Sequence, residues 1–586
     1  MACDLKITGG TVVDGGGGAP YTADVLIHQG QIVAVGRDLG PAEATLDADG
    51  ALVTPGFVDL HCHYDGQVSW DPDLQPSSVH GVTTVTLGNC GVGFAPARAS
   101  DRDRLVALME GVEDIPGAAL ATGLQWGWES FPEYMDRIDA TPHTLDTVAQ
   151  VPHDALRVYV MGERAVAGEE ATEADIAAMA RLLREALVAG AAGFSVGRTD
   201  VHRSRDGQAT PGSEATAREL CGLARAMDGL RHGVLQAVSD FNMEISPDHF
   251  EAEFDLLERM AEAAPGHPLS LSLMQRDLAP RQWLQILSRV ETAHARGLPM
   301  RVQVAPRGIG VFLGLCATFH PLMGFPSYKA LAGLPLAERV AALRDPERRR
   351  QILSEKPERM AGDGSAVPPL ADKLLAMIDR LAFRMFRLGE QPNYEPTLAD
   401  SLGVEAQRRG VPALAALYDA LLEDDGKQLL YFPIYNYLEM NLDAVGTMMA
   451  HPLALPGLSD GGAHVGTVCD ASFPTFLLTH WTRDRATGRI PLERAVQMLS
   501  ADTAAHLGLR DRGQVQPGFK ADLNVIDYPN LRLHRPRLVH DLPGGSARLL
   551  QDATGYRATL VSGQIIARDG QLTGARPGRL ARPNDL

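Results

Sequence analysis

At 586 residues, 45% hydrophobic and 22% charged, the chain suits one large globular domain with appendages and is too apolar to be disordered. Its net charge of -19 argues against a nucleic-acid or anionic-membrane surface, both of which need clustered basic residues. The six cysteines are too scattered for a disulfide scaffold, the first residues hold no signal-peptide core, and no run reaches the roughly 18 apolar residues of a membrane span, so a soluble, cytoplasmic protein is expected.

In chain order, residues 1–55 read as short strands punctuated by glycine, at 12–13, 24–27 and 31–35. Residues 516–586 have the same character, with strands at 521–527, 558–562 and 564–567. Such strands are too short to hold a core alone, which predicts one β-sandwich built from 1–55 and 516–586 together. Residues 56–515 alternate strands and helices, the pattern of a parallel sheet. Strand candidates are the segment running into Leu60, then 82–87, 157–160, 193–196, 234–238, 269–274, 301–304 and 453–458. Between them lie amphipathic stretches such as 173–190, where Ile176, Met179, Leu182, Leu183 and Leu187 recur at helical spacing. The fold class is therefore α/β, a (β/α)8 TIM-like barrel with its active site at the carboxyl ends of the strands. The stretch from about 306 to 450 is far too long for one crossover, and helices expected at 336–352 and 365–388 make it a helical insertion between strands seven and eight.

The strand exits carry the chemistry. His61 and His63 leave the first strand on one face, because alternate side chains share a face. Cys90 follows the second strand, and Asp460 follows the eighth in Ser459-Asp460-Gly461-Gly462. Singly, each has a plain alternative: a loop histidine, a buried small hydrophobe, a turn acid. Together, imidazole, thiolate and carboxylate form a ligand set for zinc.

His61-Cys62-His63, the run Gly81-Val82-Thr83-Thr84-Val85 with Gly88-Asn89-Cys90-Gly91, and Ser459-Asp460-Gly461 resemble the amidohydrolase superfamily, in its D-aminoacylase (N-acyl-D-amino-acid deacylase) branch. The opening Leu5 to Gly15 and the closing Pro517 to Asp527 are similar to the first and last β-segments of that family. The resemblance implies metal-dependent amide hydrolysis on a barrel flanked by a β-domain. It also implies histidines after strands five and six, where this chain has Gln236 and Gln275, and it leaves no lysine after strand four for a bridging carbamate. One zinc per chain is therefore expected, held by His61, His63, Cys90 and Asp460, with His202 after strand four as a possible extra ligand.

Asp460 is the candidate general base, able to take a proton from water and deliver it to the leaving nitrogen. No phosphate-binding glycine loop that both follows a strand and opens a helix offers a rival scheme. The expected partner is a small molecule carrying an amide and a carboxylate, for which Arg307 and then Arg198 are the candidate clamps. Gln275 and His464 complete the substrate-facing candidates, and a homo-oligomer is compatible with all of this. Three readings remain at this point: deacylation of an N-acyl-D-amino acid, hydrolysis of a cyclic amide or other C–N bond, and a catalytically silent barrel used for binding.

Overall fold

The computed structural model describes residues 3–241, 249–359, 372 and 375–583. Eight parallel strands run side by side: β1 Phe57–Asp59, β2 Val82–Leu87, β3 Asp146–Pro152, β4 Gly193–Arg198, β5 Val234–Ser239, β6 Leu269–Leu273, β7 Met300–Val304 and β8 Ala454–Pro456. The ring closes beyond the ends of the first and last strands. There Cys62 and Gly461 form a parallel bridge, and the His63 N–H donates to the Gly461 carbonyl at 2.7 Å.

Both faces of these strands are buried, so their sequences read as near-continuous apolar runs interrupted by interior polar groups. Gln150, Gln236 and Gln303 are among those interior groups, each buried and each hydrogen-bonded to the barrel's own residues. The amino-terminal end of the barrel is plugged by Ala504, Leu507 and Leu509, which pack against Val58, Val148, Val234 and Leu455. Solvent and ligands are left the carboxyl end.

The third strand differs from the sequence reading. Residues 157–160 lie inside the helix His153–Met161, and the strand is Asp146–Pro152. The run Val158-Tyr159-Val160 has strand-like composition, but Ala155, Leu156, Val158 and Met161 are buried at helical spacing. Asp146 disguises the true strand, because its carboxylate is held by Arg512 (2.6 Å) and Lys520, residues far along the chain.

The two chain ends form one mixed nine-stranded sheet. Leu52–Pro55 is its seam, pairing parallel with Thr11 and Val12 on one side and antiparallel with Leu523–Ile526 on the other. The sheet wraps around its own core of Ile7, Val25, Ile32, Val53, Val525 and Leu560. Between β7 and β8, helices and the small antiparallel sheet of Ile309–Leu313, Phe386–Arg387 and Leu430–Tyr435 enclose a separate core around Leu343, Tyr418 and Leu421. The single helix expected at 336–352 is two, Leu336–Leu343 and Pro346–Ser354, because Asp345 caps the second by accepting from the Glu347 and Arg348 amides. Of the helix expected at 365–388, residues 365–371, 373 and 374 lie outside the described residues. The remainder holds a short helix, Ile378–Leu381, and then the strand Phe386–Arg387.

His506, beside the barrel plug, is buried and neither ring nitrogen has a hydrogen-bond partner among the described residues. Burial lowers its pKa to about 3, against about 6.5 in an unfolded chain. Between those values the unfolded state binds a proton that the folded state refuses, so this residue subtracts stability as pH falls and nothing above pH 6.5. His506→Leu should therefore gain on the wild type by up to about 1.4 kcal/mol per pH unit as pH drops below 6.5. Paired denaturant titrations at pH 7.5, 6 and 5 measure the difference, and a pH-independent gap would contradict the account.

Candidate metal centre

Three donor atoms converge at the mouth of the barrel. One ligand atom from each of His61, His63 and Cys90 lies within 4.8 Å of the others, and all three residues are buried. His61 Nε2 is 3.1 Å from Cys90 Sγ, and the two imidazoles meet edge to face with centroids 5.4 Å apart. The Asp460 Oδ1 atom stands 3.5 Å from His61 Nε2 and 3.9 Å from His63 Nε2. Three donors thus cluster at the exits of β1 and β2, with the Asp460 carboxylate from the exit of β8 beside the two imidazoles.

Local backbone geometry sets each of them. Cys90 sits in a turn where Gly88, Cys90 and Gly91 all have left-handed backbones, with φ of 76°, 56° and 76°. A Cβ on Gly88 would lie 2.0 Å from the Gln150 carbonyl oxygen, so only glycine lets this turn press against β3. The Cys90 amide donates to Gln236 Oε1 at 3.0 Å. Asp460 is also left-handed (φ 48°), and its N–H donates to the His61 carbonyl at 3.1 Å. Ser459 Oγ donates to Asp59 Oδ2 at 2.6 Å and lies 2.9 Å from the His61 carbonyl, locking the two exits together.

The tautomer of His61 follows from its neighbours. Gln303 gives its amide nitrogen to Ser270 Oγ (2.9 Å), so its Oε1 accepts from His61 Nδ1 at 2.8 Å. That leaves the Nε2 lone pair facing Cys90 and Asp460, as a metal ligand requires.

Burial holds the site in an awkward state of charge. Desolvation lowers His61 to about 4 and His63 well below its ordinary value. It raises the Cys90 thiol, with the Glu113, Asp460 and Asp65 carboxylates adding to the shift. The Asp460 carboxyl is raised by burial and pulled back in part by His464. Neutral imidazoles beside acids and a thiol that resist ionisation are what a divalent cation would relieve, since its charge inverts the local balance. The residues present fit zinc or a similar ion.

The remaining candidates fall into two groups. His202 belongs to the neighbourhood: burial lowers its pKa to about 3, with His464 and His61 adding to the shift, and its buried Nδ1 has no hydrogen-bond partner among the described residues. His464 Nε2 lies 3.7 Å from Glu113 Oε2. Arg307 is a correction. It is fully buried, bonded to Asp470 (2.7 Å), Ser472 and the Cys469 carbonyl, and stacked 3.8 Å over the Tyr394 ring. Arg198 is also committed, forked onto Glu253 at 2.6 and 3.0 Å with a third bond to the Ala215 carbonyl. Neither guanidinium is free to clamp a substrate. Gln275 spends its side chain on Glu439 (2.6 Å) and the Leu438 amide (3.1 Å), pinning the return of the insertion.

Two residues escape the sequence reading. Glu113, 2% exposed, places Oε1 3.3 Å from His63 Nδ1. Arg276, just past β6, is buried, and its hydrogen bonds among the described residues go to neutral oxygens, Gln282 Oε1 (3.0 Å) and the Ser239 carbonyl (2.6 Å).

A barrel presenting histidine, cysteine and aspartate donors at its carboxyl end is the framework of a metal-dependent enzyme. The sequence comparison agrees: residues 44–567 match the model described as the amidohydrolase family, and the chain belongs to that family. It is a metal-dependent amidohydrolase. It is 28% identical to a D-aminoacylase of Alcaligenes xylosoxydans xylosoxydans over 98% of this chain and 97% of the relative. It is 27% identical to an N-acyl-D-glutamate deacylase of the same organism, over 98% of each. An uncharacterized protein of Mycobacterium tuberculosis is 30% identical over 100% of this chain and 96% of its own length. Among solved structures, a D-aminoacylase shares the fold with a TM-score of 0.63 at 24% identity, covering 99% of both chains. The N-acyl-D-glutamate deacylase of Bordetella bronchiseptica, complexed with zinc and a phosphonate inhibitor, gives 0.63 at 24%, covering 99% of this chain and 100% of that one.

The turn before Cys90 gives a direct test of this geometry. Gly88→Ala introduces both a left-handed alanine and a backbone clash, so Tm should fall and metal content per chain should drop with it. Full metal loading at an unchanged Tm would contradict the placement of Cys90.

Proposed function

We propose that this enzyme removes the acyl group from an N-acyl-D-amino acid, using one zinc ion held by His61, His63, Cys90 and Asp460. The observation that carries the reading is the Asp460 carboxylate, set within 4 Å of both histidine Nε2 atoms. Full-length relatives named D-aminoacylase, N-acyl-D-aspartate deacylase and N-acyl-D-glutamate deacylase support the substrate class. Elemental analysis should return about one zinc per chain, because His61, His63 and Cys90 form the one compact donor group among the described residues. Two stoichiometric metals would bring His202 into the ligand set.

When bound, the zinc ion supplies Lewis acidity, making water easier to deprotonate and the amide carbonyl more electrophilic. The protein's own groups manage the protons. Asp460, raised by burial above an ordinary carboxylate, is suited to take a proton from the attacking water and return it to the departing nitrogen. His61 and His63 stay neutral and keep their lone pairs for the ion. With Arg307 and Arg198 already paired to acids, Arg276, just past β6 and bonded to neutral oxygens, is our candidate for the substrate carboxylate.

Asp460→Asn should keep the fold and lower kcat by about 10²-fold or more, because an amide cannot accept the proton. A variant with near-normal kcat would remove Asp460 as the base. Arg276→Ala should raise KM for an N-acyl-D-amino acid by about ten- to a hundredfold, and much less for the analogue whose carboxylate is a neutral amide. Equal losses on both would assign Arg276 to structure. A panel of N-acyl-D- and N-acyl-L-amino acids beside hydantoins tests the class itself, and turnover confined to the cyclic amides would overturn it.

A further inference from the structure

The helix Arg102–Glu113 ends at the barrel mouth in a way its own sequence disfavours. Its last turn carries Glu110 and Glu113 with no basic residue, and Asp114 follows in a left-handed conformation. Carboxylates at a helix C-terminus face the negative end of the dipole, so this clustering opposes helix stability. Such a local conflict points to a use outside the helix.

Glu113 has that use within reach. Its side chain is buried, and a buried carboxylate needs partners. The partners are imidazoles: Oε1 lies 3.3 Å from His63 Nδ1 and Oε2 lies 3.7 Å from His464 Nε2. Neither Glu113 Oε1 nor His63 Nδ1 has a hydrogen-bond partner among the described residues, so at 3.3 Å the two are in ion-pair contact and free to close into a hydrogen bond. The main chain fixes the same junction, for the His464 N–H donates to the Glu113 carbonyl. Thr467 Oγ1 then donates to the Asp114 carboxylate at 2.9 Å.

We propose that Glu113 is the positioning carboxylate of the metal site, accepting from His63 Nδ1–H so that Nε2 is presented to the metal, and holding His464 beside the same donor cluster. The proposal rests on the metal-site reading above. It makes the two histidine ligands unlike each other. His61 is oriented by a neutral amide, Gln303 at 2.8 Å, and His63 by a carboxylate. A carboxylate partner raises the basicity of a ligating imidazole and adds negative charge beside a divalent ion, and both effects strengthen binding. Glu113 acts through His63 and does not itself touch the reacting atoms.

The test is chelator competition on the intact protein loaded with zinc or with cobalt(II), comparing wild type, Glu113→Gln, Glu113→Ala and His63→Ala. Glu113→Ala should bind either metal about ten- to a hundredfold more weakly and change the visible absorption of the cobalt form. Glu113→Gln keeps an acceptor but not the charge, so its affinity should fall by less, with circular dichroism and Tm close to wild type. If the alanine variant does not fold, the glutamine variant decides. Affinities of the Glu113 variants within about twofold of wild type, with His63→Ala losing metal, would overturn the proposal and leave the metal site standing. Wild-type affinity in His63→Ala as well would overturn the metal-site reading and the proposal with it.

Discussion

The bridge between the exits of the first and last barrel strands is the constraint on which the site depends. Ser459 reaches Asp59 and the His61 carbonyl, the Asp460 N–H donates to that same carbonyl, and His63 N–H donates to Gly461. These bonds close the ring and, in the same step, carry Asp460 across nearly 400 residues of sequence to the two imidazoles. The bonds that close the ring are the bonds that bring the donor side chains together. A barrel open at this seam would hold the histidines and the cysteine but not the acid.

The charge arrangement follows from where the fold spends its arginines. Arg198 is paired with Glu253, Arg307 with Asp470 and Arg512 with Asp146, each in a buried setting where an unpaired charge would be costly. The centre around Cys90 meets carboxylates instead, with Glu113, Asp460 and Asp65 all bearing on the thiol. The structure thus neutralises positive charge around the barrel wall and leaves its mouth in want of a cation. This division suits an enzyme whose electrophile is a bound metal.

Much of this was legible in the sequence, for a physical reason. His61, His63, Cys90 and Asp460 each follow a short apolar run, and a strand exit announces itself locally. The two β-rich ends were legible for the same reason, because glycine-punctuated alternation is a local signal. What failed was long-range. Asp146 makes the third strand look polar until Arg512 and Lys520 are seen beside it. Arg307 looked free because Asp470, its partner, lies 163 residues on. Glu113 sits at the end of a helix between strands, where the single clue was an acidic C-terminus with no basic residue in its own last turn.

The central claim is that a metal sits in a mixed shell of two imidazole nitrogens, one thiolate and one carboxylate. X-ray absorption on the zinc-loaded protein reads that shell directly. The account predicts one sulfur at about 2.3 Å with nitrogen and oxygen neighbours at about 2.0–2.2 Å. A first shell of light atoms alone, with no sulfur, would take Cys90 out of the site and contradict the geometry on which the enzyme's chemistry is built.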